Sequence, residues 1–219
     1  MMTEYSYKYY DPLEQMMPIR HQYISQIIKR NENLDLNKYL KEKSILDLGC
    51  GTGSFLSNYE KIANNCTGVD TLDFFSKKQS PRLKFIRANI GSFLKTNKKK
   101  YDFIFLFEVI EHLDLNTKIN LFKNIKKFLN KNGYLFFSTL NDNLISKFLS
   151  ISIAENIFKI LPKKTHDSKL FISPNGIQKL CVKNSLKIID ISGLIYNPVI
   201  KTFNISKLSL VNYIGAIKN

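Results

Sequence analysis

Ile45-Leu46-Asp47-Leu48-Gly49-Cys50-Gly51-Thr52-Gly53 is the stretch from which the rest of the chain can be read. An apolar run reaches Leu48, and glycine then takes every second position. A short apolar run bounded by glycine reads as a buried strand, Lys43 to Leu48, followed by a loop. Outward from it, helical and strand patterns alternate. Before it, Ile19, Tyr23, Ile24, Ile27 and Ile28 share one face of a helix over Pro18 to Arg30. After it come a helix within Gly53 to Ala63, strands at Cys66 to Asp70 and Leu83 to Arg87, and a continuous apolar strand at Tyr101 to Phe107. A helix over Asn116 to Leu129 closes at Asn132-Gly133 and leads to a strand at Tyr134 to Thr139. Ser173-Pro174 opens a helix to Asn184, and Leu186 to Ile191 and Leu208 to Ile217 read as two late strands. This order predicts an α/β, doubly wound, seven-stranded and mostly parallel sheet with an antiparallel ending.

The 219 residues fit one domain over 1–219, with a helical N-terminal segment at 1–43. Hydrophobic residues at 44% leave enough material for one core. No apolar run is long enough to span a bilayer, and Met1 to Tyr10 carries no pattern of a signal peptide. Cys50, Cys66 and Cys181 form no CxxC pair, which argues against a zinc knuckle or disulfide framework and for a reducing compartment. An amphipathic insertion at 143–165 follows the fifth strand. It reads as ordinary packing, as a cover over an apolar substrate, or as a surface lying on a membrane.

The formal charge of +15 suggests a polyanionic partner, nucleic acid or an anionic lipid surface. Only four of the 33 basic residues are arginine, the side chain that planar phosphate and base recognition favours, so nucleic acid is not expected. A composition rich in Ile, Asn and Lys accounts for much of the charge by itself.

The glycine spacing is GxGxG, neither GxGxxG nor a P-loop, and no lysine follows to hold phosphates. A tight loop beside Asp47 suits a cationic amino-acid ligand better than a pyrophosphate. Asp70 ends the second strand, 21 residues beyond Gly49, where a carboxylate can accept both hydroxyls of a ribose. Phe107-Glu108-Val109-Ile110-Glu111-His112 follows the fourth strand. If a helical turn follows Glu108, then Glu111 at i+3 and His112 at i+4 share its face. Two carboxylates and an imidazole can ligate a divalent ion or supply a general base.

At ILDLGCGTG, GVD and FIFLFEVIEHL the chain resembles the class I S-adenosylmethionine-dependent methyltransferases, which have a Rossmann-like fold. That resemblance implies that Gly49, Gly51 and Gly53 line S-adenosyl-L-methionine and that Asp70 binds its ribose. Pro18-Ile-Arg-His-Gln-Tyr-Ile24, Phe137-Ser-Thr-Leu-Asn141, Phe171-Ile-Ser-Pro174, Gly193-Leu-Ile-Tyr-Asn-Pro198 and Val211-Asn-Tyr213 further resemble the ubiquinone biosynthesis O-methyltransferases, in register over residues 10–215. By that resemblance Arg20 contacts the cofactor carboxylate, Phe107 contacts the cofactor, and Glu108, Glu111 and His112 are catalytic and hold Mg2+. The implied acceptor is a polyprenylated catechol or phenol. Contacts with the membrane and with a ubiquinone-biosynthesis complex go with it. The implied location is cytoplasmic and peripheral on the inner face of the cell membrane, or on the matrix side of a mitochondrion. Two other readings compete: a methyltransferase acting on RNA or another small molecule, and a non-catalytic methyltransferase-like subunit binding lipid or a protein complex.

Overall fold

The computed structural model describes residues 14–72, 79–143, 168–197, 199–200 and 202–219. The insertion at 143–165, apart from Asn143, lies outside the described residues. α1 (Met17–Glu32) and α2 (Leu36–Leu40) precede β1 (Ser44–Leu48), α3 (Ser54–Ser57), β2 (Asn65–Asp70), β3 (Leu83–Arg87) and α4 (Ile90–Thr96). Then follow β4 (Tyr101–Phe107), α5 (Leu115–Phe128), β5 (Leu129–Leu140), α6 (Pro174–Lys183), β6 (Lys187–Asn197), β7 (Thr202–Ser206) and β8 (Asn212–Lys218). The sheet order is β3-β2-β1-β4-β5-β8-β6-β7. β1 to β5 run parallel, while β8 is antiparallel to both β5 and β6.

The alternation within β4 explains why the sheet is covered twice. Phe103 and Phe105 enter one buried layer with Ile45, Phe136 and the α1 residues Tyr23, Ile24 and Ile27. Ile104 and Leu106 enter the other, with Leu46, Leu48, Leu121 and Phe122 of α5, and Ile177 of α6. From Phe103 to Phe107 β4 is apolar at every position, as burial on both faces demands. Tyr23 fixes α1 in place: its ring meets Phe136 edge-on at 6.3 Å, and its hydroxyl donates to Asp190 Oδ2 at 2.8 Å.

Among the described residues eight strands stand where the pattern predicted seven. The additional one is β7, which pairs with β6 as a hairpin from Gly193↔Ser206 to Asn197↔Thr202. The helix expected within Gly53 to Ala63 stops at Ser57. Beyond it the Tyr59 and Ile62 amides donate to the carbonyls three residues back, Leu56 and Tyr59, each at 3.0 Å, a tightening favoured where Ser57 and Asn58 compete with the helix for backbone bonds. The expected stop at Asn132-Gly133 falls inside β5. There Asn132 has φ of +64°, and the pairing with β4 shifts between Tyr101↔Leu129 and Phe103↔Tyr134. Among the described residues no helix is long and apolar enough to cross a membrane.

Candidate active site

The glycine loop leaves β1 and is tied at once to its neighbour. The amides of Gly49 and Cys50 both donate to the Val69 carbonyl of β2, at 2.7 and 3.2 Å. Gly49 has φ of +77°, and a Cβ there would overlap the side chain of Val109 in the turn after β4. Glycine is therefore required on two counts, backbone conformation and close approach. Gly51, with φ of +54°, donates its amide to Asp70 Oδ2 at 2.8 Å. Asp70 Oδ1 accepts from the Leu72 amide at 3.0 Å. Loop and carboxylate are thus one hydrogen-bonded unit at the carboxyl edge of the parallel strands, where open α/β sheets bind ligands.

A cavity of about 450 Å³, partly open to solvent, lies against this loop. Gly49, Gly51, Thr52 and Asp47 line one side; Glu14, Met17 and Arg20 of the N-terminal helix region and Phe107 of β4 line the other. Arg20 is only 5% exposed, yet its Nε finds no hydrogen-bond partner. Its guanidinium stacks 4.9 Å from the Phe107 ring centroid and lies 3.8 Å from Glu108 Oε1. Burial lowers the Arg20 pKa, and the charges of Glu108, Asp47 and Glu111 oppose the shift. Asp47 is buried too, and desolvation pushes its carboxyl up to about 7, against the attraction of Arg20. The cavity is therefore built for charge: it holds an unsatisfied buried donor, which is costly unless a ligand meets it.

Glu108 has φ of +54°, a left-handed conformation that costs a non-glycine residue of order 1 kcal/mol or more. Its neighbours hold it there. Its amide donates to the Ser138 carbonyl at 3.0 Å, Ser138 Oγ donates to its Oε1 at 2.6 Å, and Asn212 Nδ2 donates to Oε2 at 3.4 Å. Glu111 is fully buried and accepts from Thr139 Oγ1 at 2.8 Å. Burial and the adjacent Glu108 charge raise its pKa well above the usual carboxylate range, and the retained proton bonds to Glu108.

The expected helical face shared by Glu108, Glu111 and His112 does not form. Glu108 is left-handed and outside any helix, and only Ile110–His112 coil, as a single 3₁₀ turn. Successive side chains of such a turn diverge by about 120°, so Glu111 is buried while His112 is exposed. Among the described residues no three His, Cys, Asp or Glu side chains converge as metal ligands. The structure thus brings Arg20, Gly49, Gly51 and Phe107 to one cavity, with Asp70 bonded to its loop and Glu108 reached through Arg20, while Glu111 is buried against Thr139. Gly53 turns the loop into α3 at φ of +72°, packed on Phe85, and His112 is exposed on the 3₁₀ turn. Ser138, Thr139 and Asn212 were not expected. The polar Ser-Thr pair closing the apolar run of β5 was a usable signal for the first two; Asn212 had none.

The family model described as "Methyltransferase domain" matches residues 19–173. The chain is 33% identical over 220 residues to the ubiquinone biosynthesis O-methyltransferase of Pelagibacter ubique, covering 96% of this chain and 90% of that protein. It is 35% identical over 212 residues to the protein of the same name from Bartonella quintana, covering 93% and 85%. Among solved structures it is similar to the plantazolicin methyltransferase BamL, crystallised with a desmethyl-plantazolicin analogue and S-adenosylhomocysteine. There the TM-score is 0.67 at 14% identity, over 98% of this chain and 88% of that one, a likeness of fold.

Proposed function

The chain belongs to the ubiquinone biosynthesis O-methyltransferase family of S-adenosylmethionine-dependent enzymes, and from that premise we propose that it methylates a catechol or phenol hydroxyl of a polyprenylated ubiquinone precursor. The observation that carries the reading is the continuity of the glycine-loop cavity with the Glu108–Glu111 pair through Arg20.

S-adenosylmethionine supplies an electrophilic methyl on a sulfonium, and the chain's residues fit the rest of that molecule. Arg20, with its unpartnered buried Nε, suits the α-carboxylate. Asp47, at the loop beside it, suits the α-ammonium, and a bound cation would return its carboxyl to the ionised form. Asp70 presents a carboxylate fixed by the loop itself to the ribose hydroxyls. Phe107 offers an apolar face. These contacts orient the methyl toward Glu108, and orientation supplies much of the acceleration in such a transfer. The acceptor hydroxyl gives its proton to the Glu108–Glu111 pair as its oxygen forms the new bond to carbon, the carbon–sulfur bond breaks, and S-adenosylhomocysteine leaves.

Mg2+ belongs to this proposal on narrower terms than the sequence implied. Glu108 and Glu111 are adjacent hard oxygen donors, and one or two carboxylates are a common protein share of an Mg2+ site. The ion would lower the pKa of a catechol oxygen there. His112 joins them in no group of metal ligands among the described residues. The acceptor's isoprenoid tail favours a location peripheral to a bilayer on the cytoplasmic face, with the apolar stretch 143–165 against lipid.

Calorimetry with S-adenosylmethionine, followed by single-turnover transfer to a short-chain demethylubiquinol analogue with and without Mg2+, tests the proposal. Cofactor binding with methyl transfer to the analogue is expected. Binding without transfer to any catechol or phenol overturns the substrate; full activity in chelator overturns the metal role.

A further inference from the structure

Arg20 faces the cavity, and its neighbour His21 ties the same end of α1 to the glycine-loop side of the fold. His21 Nδ1 and the Tyr59 hydroxyl share a hydrogen bond of 3.1 Å, and the two rings stack with centroids 5.8 Å apart and 25° between their planes. His21 is exposed, whereas Tyr59 is fully buried. Burial raises the Tyr59 phenol well above its ordinary pKa, so it stays a neutral hydroxyl. Tyr59 is also a fixed post. Its amide donates to the Leu56 carbonyl, and its own carbonyl accepts from the amides of Ile62 and Ala63 at 3.0 and 2.8 Å. Its ring meets Phe55 edge-on at 5.4 Å and Phe105 at 5.6 Å. It stands two residues beyond α3, the helix that the glycine loop enters at Gly53.

The turn that carries Arg20 has little support of its own. Its N-cap, Met16, makes no side-chain cap bond, and the first turn of α1 holds no acid to meet the positive end of the helix. Farther along, Tyr23 and Arg30 anchor α1 to Asp190 at 2.8 and 3.3 Å. Both lie C-terminal to His21, away from the cavity. Successive helical residues point about 100° apart, so a helix that aims Arg20 at the cavity turns His21 onto its flank. Holding His21 on a fixed post therefore sets the rotation of α1 about its own axis. Arg20 rests on the same row of rings. Its guanidinium lies over Phe107, whose ring stacks on Phe105 at 5.5 Å and meets Phe55 edge-on at 5.2 Å. Two neighbouring side chains thus dock on one aromatic row, one from each side of the turn.

We propose that His21 is a positioning residue for the cofactor: its bond to Tyr59 sets the rotation of α1 that delivers the Arg20 guanidinium to the carboxylate of S-adenosylmethionine. The inference rests on the cofactor reading above, in which Arg20 meets that carboxylate.

The test is a double-mutant cycle on S-adenosylmethionine affinity, read by calorimetry on the full chain. His21→Ala should weaken binding about fivefold, the worth of one hydrogen bond. Tyr59→Phe keeps the buried ring and removes only the hydroxyl, and it should match His21→Ala. In an Arg20→Ala background either change should cost less than about twofold, because its effect passes through Arg20. His21→Asn, which keeps a polar atom near the Nδ1 position, should recover part of the affinity. Unchanged affinity in both His21→Ala and Tyr59→Phe overturns the proposal. So does a cost as large in the Arg20→Ala background as in wild type, which would mean that the pair supports the fold at large. Wild type that fails to bind S-adenosylmethionine overturns the cofactor reading and this inference with it. Binding that Arg20→Ala weakens and His21→Ala does not overturns the role of His21 alone.

Discussion

The Arg20 guanidinium lies 3.8 Å from Glu108 Oε1 and joins the N-terminal helix to the turn after β4 across the cavity. Arg20 is thus shared between an acid it already faces and a ligand its buried Nε awaits. Replacing it with alanine should weaken S-adenosylmethionine about tenfold or more, the worth of a charge-assisted hydrogen bond. Lysine should recover only part, because it lacks the planar fork. Calorimetry decides; an unchanged dissociation constant would remove Arg20 from the cofactor site.

Gly49 meets Val109 so closely that a methyl has no room, and its φ of +77° disfavours any side chain. Gly49→Ala should destabilise the protein by about 1–3 kcal/mol and weaken cofactor binding. The two causes are separable. Adding Val109→Ala relieves the overlap and leaves the backbone strain, so Gly49→Ala should cost less in the Val109→Ala background than in wild type. An equal cost in both backgrounds would assign the whole of it to φ.

Burial raises Asp47 to about 7 and lifts Glu111 well above its usual range. The folded protein keeps protons there that the unfolded chain has already released. Stability without cofactor should therefore fall as pH rises from about 4 toward 7, by at most about 1.4 kcal/mol per pH unit for each group. Asp47→Asn removes one of the two and should flatten the slope, gaining most near neutrality. Thermal melts across that range check it; parallel curves for variant and wild type would refute the cause.

Ser138 Oγ donates to Glu108 Oε1 at 2.6 Å and makes Ser138 a positioning residue for that carboxylate. Ser138→Ala should lower kcat several-fold, to about a tenth, while leaving cofactor affinity within about twofold. Threonine should restore part of the rate. Loss of cofactor affinity in step with kcat would point to a general structural role instead.

Where the fold was legible, the signal was local. β4 is apolar at nearly every position, and the glycine loop carries its conformation in its residue types. β7 was missed although Thr202 to Ser206 alternates polar and apolar, with Phe203 and Ile205 packed on the core: the run is only five residues long and none of its side chains is fully buried. The acid cluster was readable as chemistry and misread as geometry. Sequence spacing assigns Glu108, Glu111 and His112 to one helical face, but the left-handed Glu108 is imposed by partners from β5 and β8, about 30 and 104 residues away. No local pattern encodes such partners.

The placement of β8 between β5 and β6 divides the sheet in assembly as well as in space. β1 to β5 can zip together from neighbouring βα units, whereas among the described residues the backbone pairing of the hairpin reaches them through β8. Its amides and those of β6 should exchange with deuterium as one late-protected block, opening together below the threshold for global unfolding. The half that completes the catalytic edge would then be the last to arrive and the first to loosen.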